Sequence, residues 1–267
     1  MPHALSSSFH RLGWASAAVL AVSLLLPMGT AGAQQAAEEA DHQDFLLGVP
    51  ADPSEAWTLA NGGLLYDNWF TVLAKDKPEG THSAWPSSNT RTGDVTFRCK
   101  SCHGWDYKGA DGKYASGSYK TGIKGVTGMI GKDPAEIVQI IGNDVHGFTD
   151  EMIPPDAKLR LATFVSKGLV DMSQYIDDDG TVKGDVDKGR AIFQTVCAAC
   201  HGYDGAALNW GDEKKPGYVG TEANANPWEV LHKIQNGHPG AQMVNLRAFA
   251  VQNSIDVLAY AKTLREK

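Results

Sequence analysis

The chain of 267 residues contains four cysteines, and all of them fall in two copies of one pattern: Cys99-Lys100-Ser101-Cys102-His103 and Cys197-Ala198-Ala199-Cys200-His201. Two thiols separated by two residues can add to both vinyl groups of one porphyrin, and the adjoining histidine then lies beneath the iron. Cys-x-x-Cys-His therefore reads as a c-type haem attachment site. Other cysteine chemistry fits less well. A zinc ribbon keeps its two Cys pairs about 15–20 residues apart, whereas about 95 residues separate them here. A thioredoxin-like dithiol explains one pair but neither histidine, and structural disulfides leave both histidines unexplained. The expected cofactors are two covalently bound haem c groups, one on Cys99, Cys102 and His103, the other on Cys197, Cys200 and His201. No cysteine remains as a catalytic thiolate.

The N-terminus has the pattern of an exported protein. Met1 to Arg11 carries one Arg and no acid, Leu12 to Pro27 is apolar, and Ala31-Gly32-Ala33 supplies small residues for cleavage. Residues 1–33 thus read as a signal peptide with the mature chain starting at Gln34, and the apolar run is too short for a stable membrane span. A periplasmic location agrees with haem attachment outside the bacterial cytoplasm. The formal charge of −7 argues against nucleic acid as a partner. That charge is uneven: −5 over residues 34–170, −5 over 171–187 and +2 over 188–267, which makes the molecule dipolar.

About 234 residues follow the signal peptide, and they must build the elements that position the two motifs. In the second half, Asp185 is a plausible N-cap for a helix carrying Ile192 and Val196 on one face. A Gly- and Pro-rich loop is expected over 202–226. A helix opens at Pro227, buries Val230, Leu231 and Ile234, and stops at Asn236-Gly237. Met243 lies in the next loop, and a last helix over about 252–264 turns Ile255, Leu258 and Ala259 inward. The first half repeats this order. Pro134 opens a helix whose Ile137, Val138 and Ile141 match the second-half triplet position for position, Asn143 falls where Asn236 does, and Met152 takes the place of Met243 with two extra residues between. A helix with Leu161, Ala162, Val165 and Leu169 inward closes the unit and stops at Gly168. Two homologous modules follow from that register.

Gly184-Asp185-x-x-x-Gly189-x-x-x-Phe193 ahead of the second motif, with its loops, methionine and closing helix, resembles the class I cytochrome c family. The paired modules resemble dihaem cytochromes of the cytochrome c4 kind. The resemblance implies a mainly α fold with two tandem cytochrome c-like domains: an N-terminal arm (34–53), a first domain (54–170) with an insert at about 74–96, an acidic linker (171–183) and a second domain (184–267). It implies His103 and His201 as proximal ligands, with Met152 and Met243 as the distal ligands of the two irons. His146 and His238 precede those methionines by six and five residues and compete for the same positions. The ligand type matters, because methionine raises the iron potential relative to a second histidine.

The first half departs from the family pattern. Gly63-Leu64-Leu65-Tyr66-Asp67-Asn68-Trp69 reads as its opening helix, but about 27 additional residues intervene before Cys99. That insert, with His82 and Trp85, reads as a solvated loop over the haem edge, or as a docking loop. Family members also often hold the proximal imidazole with a proline carbonyl. Pro216 is available in the second half, but no proline lies between His103 and Pro134. Met129 reads as a core filler and Met172 as linker packing, while His42 and His232 have no motif around them. Trp105, Tyr107, Tyr119, Trp210 and Tyr218 read as haem-pocket walls. Asp177-Asp178-Asp179-Gly180 lacks the ligand spacing of a calcium loop and reads as linker.

The expected function is a periplasmic electron carrier rather than an enzyme, passing single electrons between redox protein partners. Two alternatives are a dihaem oxidoreductase, of the peroxidase or thiosulfate-oxidising type, and the cytochrome subunit of a dehydrogenase complex.

Overall fold

The structure, a computed structural model, describes residues 48–267. The expected signal peptide, His42 and residues 34–47 of the expected arm lie outside the described residues. Among the described residues the regular structure is helical, with two isolated antiparallel bridges, Gly109 with Lys124 and Ile176 with Val182.

Helix α1 spans Glu55–Val72, and the Ser54 hydroxyl caps it by accepting from the Trp57 amide at 3.2 Å. It breaks once, at Asn68, whose backbone leaves the helical region and whose side chain accepts from the Thr71 amide. Helix α2 (Cys99–His103) carries the first motif. Helix α3 (Pro134–Ile141) opens at Pro134 as expected, with Asp133 accepting from the Ala135 amide. Helix α4 (Pro155–Thr163) opens on a second proline and continues through a π-helical turn over Phe164–Gly168. Its stop at Gly168 is also as expected.

The second half follows its sequence signals closely. Helix α5 (Val186–Ile192) is capped by Asp185, which accepts from the amides of Asp187 and Lys188, and runs through a π-helical turn over Phe193–Cys197. Helix α6 (Ala198–His201) carries the second motif. Helix α8 (Pro227–Asn236) has the expected limits, and α9 is Val251–Ala261. Between α6 and α8 lies an unexpected helix, α7 (Val219–Ala225). The sequence predicts loop there because its inward positions, Gly220 and Ala223, are too small to write an apolar stripe. Gly220 instead lets the helix backbone rest on that of Leu264 and Arg265.

One packing arrangement occurs twice. In the first half α1 crosses α4 where Gly62 lies on the backbone of Arg160 and the side chain of Phe164. In the second half α5 crosses α9 where Gly189 lies on the backbone of Asp256 and the side chain of Tyr260. Four residues after each glycine an aromatic ring meets the partner helix, Tyr66 on Phe164 at 5.8 Å and Phe193 on Tyr260 at 5.5 Å between centroids. The two halves then share one apolar core, in which Leu65, Tyr66 and Trp69 join Leu231, Ile255 and Leu258.

The insert is largely exposed, as expected of a solvated loop, but two of its side chains turn inward. His82 and Trp85 are buried, 9% and 7% exposed. His82 packs against Phe97 and Phe148, with ring centroids 5.0 and 5.4 Å away, so the insert closes the wall beside the first motif.

Candidate haem centres

The first motif is gripped from α1. The Tyr66 hydroxyl donates to the Gly104 carbonyl at 2.7 Å, and Trp69 Nε1 donates to the Phe97 carbonyl at 2.9 Å. Immediately after the motif the chain turns at Gly104 with φ 83°, a conformation glycine adopts without strain. Gly202 repeats this after the second motif with φ 76°.

His103 Nδ1 donates to the Lys124 carbonyl at 2.6 Å. A carbonyl only accepts, so Nδ1 carries the proton and Nε2 keeps its lone pair. The carbonyl is itself held by pairing of two chain segments, in which the Ala110 amide donates to Ile123 O and the Val126 amide to Tyr107 O. A family proline is absent here, and this pairing does its work. Orientation of a ligating imidazole by a carbonyl on its other nitrogen is a general device. Burial holds His103 below the usual histidine range, partly opposed by the Lys124 carbonyl, so the ring stays neutral.

Around this histidine lies a cavity of about 390 Å³ that exposes Cys99, Cys102 and His103. That volume falls within the range of cofactor pockets, about 300–1,000 Å³. Phe97, Ile137, Ile141, Phe148, Leu161 and Val165 make the walls apolar. Burial pushes the Cys99 thiol up to about 12, with Cys102 adding to it, and pushes Cys102 up to about 12 as well.

The opposite wall differs from the sequence reading. Met152 is not among the residues lining the cavity. It is partly buried against the apolar core, in a loop two residues longer than its second-half counterpart. His146 lines the cavity instead, its ring 6.2 Å from that of His103 and inclined by 29°. Met129, read as core filler, lines it too.

The second motif lies on a cavity of about 320 Å³ lined by Cys197, His201, Trp210, Ile234, His238 and Met243, among others. Here the expected methionine and the expected histidine face one cavity. Cys200 is exposed. Pro216 does not hold the proximal ring: His201 Nδ1 is buried without a hydrogen-bond partner. Burial lowers the His201 pKa and pushes the Cys197 thiol up to about 11. Cavity volume, apolar walls and a neutral imidazole fit a covalently held porphyrin at both sites, with two thiols lining the first cavity and Cys197 lining the second.

Of the aromatic residues read as pocket walls, Trp210 alone lines either of these two cavities. Tyr119 stacks on Tyr114 and carries Arg91, and Tyr218 carries Arg265. Trp105 and Tyr107 lie in the core between the halves, against His232.

His232 had no motif and proves to be a centre of that contact. Its Nε2 donates to the Gly63 carbonyl at 3.0 Å and its Nδ1 accepts from the Tyr107 hydroxyl at 2.8 Å. Next to it, Lys233 lines the second cavity and pairs with Asp67 of α1 at 2.7 Å. Burial works against the Asp67 carboxylate, but the Lys233 ammonium, aided by Lys100, outweighs it and holds Asp67 below the usual range.

A chain, mainly helical among its described residues, that presents Cys-x-x-Cys-His thiols and a neutral histidine to an apolar cavity has the form of a covalent haem carrier. Residues 184–259 match the family model described as "Cytochrome C oxidase, cbb3-type, subunit III". The chain is also 30% identical over 103 residues to a "Cytochrome c-553-like" protein of Synechocystis, covering 36% of this chain and 85% of that protein. No solved structure matches it. The chain belongs to the c-type cytochromes, and haem-based electron transfer with redox protein partners follows from that membership.

Proposed function

We propose that this chain carries single electrons through two haems, one on each Cys-x-x-Cys-His motif, as two tandem cytochrome modules exported to the periplasm. The observation that carries the reading is the pair of separate apolar cavities, each lined by thiol and histidine of its own motif. When bound, each haem supplies a one-electron iron couple. The chain's own residues would hold the ring, exclude water and supply ligands to the iron. His103 and His201 would be the motif-histidine ligands, and Met243 would supply the second ligand in the second cavity. With a further ligand candidate lining each cavity beside the motif histidine, both irons would have two protein ligands, which favours a carrier over an oxidoreductase.

Intact mass of the holoprotein should show two covalent haems on a chain beginning at Gln34, recovered from the periplasmic fraction. Redox titration should consume one electron per haem, with both ferric irons low-spin. A single haem overturns the reading. So does a high-spin ferric signal accompanied by peroxide or thiosulfate turnover.

A further inference from the structure

We propose that His146, not Met152, is the distal ligand of the haem on Cys99 and Cys102, so that the first iron is held by two histidines. The proposal rests on the dihaem reading above and concerns this chain's own residues around the first cavity. His103 and His146 both line that cavity, and their rings stand 6.2 Å apart at 29°. A metal–imidazole bond of about 2 Å, plus about 1 Å from nitrogen to ring centre, taken on both sides, puts trans imidazoles roughly 6 Å apart. The observed spacing matches. Direct face-to-face stacking of two rings would bring them closer.

Both rings are engaged through Nδ1. His103 Nδ1 is bound to the Lys124 carbonyl, and His146 Nδ1 lies 3.2 Å from Asn143 Oδ1. Each thereby presents Nε2 as the remaining donor. Asn143 Oδ1 also accepts from the amides of Val145 and His146, at 3.0 Å each, so one side chain fixes both the loop and the ring. Burial keeps His146 neutral, below the usual histidine range.

The insert completes the arrangement. His82 Nε2 donates to the His146 carbonyl at 2.8 Å, and His82 Nδ1 accepts from the Ala84 amide at 3.1 Å. With both nitrogens engaged, His82 is no ligand itself; it is a positioning residue that clamps the backbone of one. This gives the segment at 74–96, absent from the second half, a role at the first iron. Met152 packs outside the cavity. Met129 does line it, but its turn follows the Lys124 segment that holds the proximal histidine.

The consequence is an asymmetry of potential. A bis-histidine iron lies below a His/Met iron, so electrons run downhill from the first haem to the second.

The test uses the full-length oxidised holoprotein and near-infrared magnetic circular dichroism with electron paramagnetic resonance. One haem should show the bis-imidazole signature and the other the sulfur-to-iron charge-transfer band, with two well-separated midpoint potentials. His146→Met should remove the bis-imidazole signature, add a second sulfur band and shift the lower midpoint upward. Met152→Ala and Met129→Ala should remove neither signature. Two sulfur bands in the wild type overturn the proposal, as does loss of a band in either methionine variant. If intact mass still gives two haems, the carrier reading survives that failure; a single haem would sink the carrier reading instead. The wild-type spectrum decides the matter even if a variant fails to fold.

Discussion

At His232 a neutral imidazole does what no charged group could do in the same place. It donates to Gly63 and accepts from Tyr107 inside a fully buried aromatic cage of Tyr66, Trp105 and Phe164. Burial lowers its pKa to about 3, despite the opposing pull of Asp67. In the unfolded chain the same group titrates near its ordinary value of about 6.5. Between those values the unfolded state binds a proton that the folded state does not, so stability falls as pH falls. The slope is about 1.4 kcal/mol per pH unit in that window. His232→Gln keeps an amide donor and a carbonyl acceptor but does not titrate. Its melting temperature should fall less steeply than that of the wild type between pH 6 and 4; parallel curves for the two proteins would show that His232 does not control the acid limb. Sequence gave no hint of this residue, because its partners lie 169 and 125 positions away. The attachment residues were legible for the opposite reason: covalent chemistry confines them to five consecutive positions. His146 fell between these extremes. It was visible as a competitor of Met152, but only the ring spacing and the Asn143 and His82 contacts separate the two.

Among the elements, the paired glycine crossings carry the most weight. An alanine inside a helix is ordinarily better than glycine by about 1 kcal/mol. At Gly62 a Cβ would meet the Arg160 backbone and Phe164, and at Gly189 the Asp256 backbone and Tyr260, with no flexible side-chain end to yield. Overpacking of that kind costs about 1–3 kcal/mol, enough to reverse the sign. Gly62→Ala and Gly189→Ala should each lower stability by about 1–2 kcal/mol in denaturant unfolding. Gly128→Ala, with nothing within 4 Å of its added carbon, should stay within about 0.5 kcal/mol of wild type. Stabilisation by either of the first two would mean the helices do not cross as closely as described. The helices themselves were readable where stereochemistry marks their ends. Proline at 134 and 227, Asp185 as cap and Gly168 and Gly237 as stops each act within one turn of chain. Helix α7 and the inward turn of two insert side chains were not readable, since Gly220, Ala223, His82 and Trp85 are set by contacts across the fold rather than by local pattern.

Across the whole of the described chain, the two halves pack as one body. The apolar core draws on both halves, and the described residues 48–267 belong to a single compact unit. The seam is also where the most costly polar groups lie. Asp67 of α1 is 5% exposed and pairs with Lys233 of α8, which Trp105 also faces at 5.2 Å. Breaking a buried ion pair from one side leaves an uncompensated charge and costs about 3–5 kcal/mol, whereas replacing both partners by apolar residues is often neutral. Asp67→Leu alone should therefore destabilise by several kcal/mol, and Asp67→Leu with Lys233→Met should recover most of the loss. Because that seam ties the halves, calorimetry of the holoprotein should give one transition whose calorimetric and van't Hoff enthalpies agree. The single variant Asp67→Leu should lower both halves together, read as loss of near-ultraviolet signal and of haem absorption at one temperature. Two separate transitions, or a variant that melts the first half while haem absorption persists, would show that the halves are joined by their linker alone and that His232, Lys233 and Asp67 do not couple them.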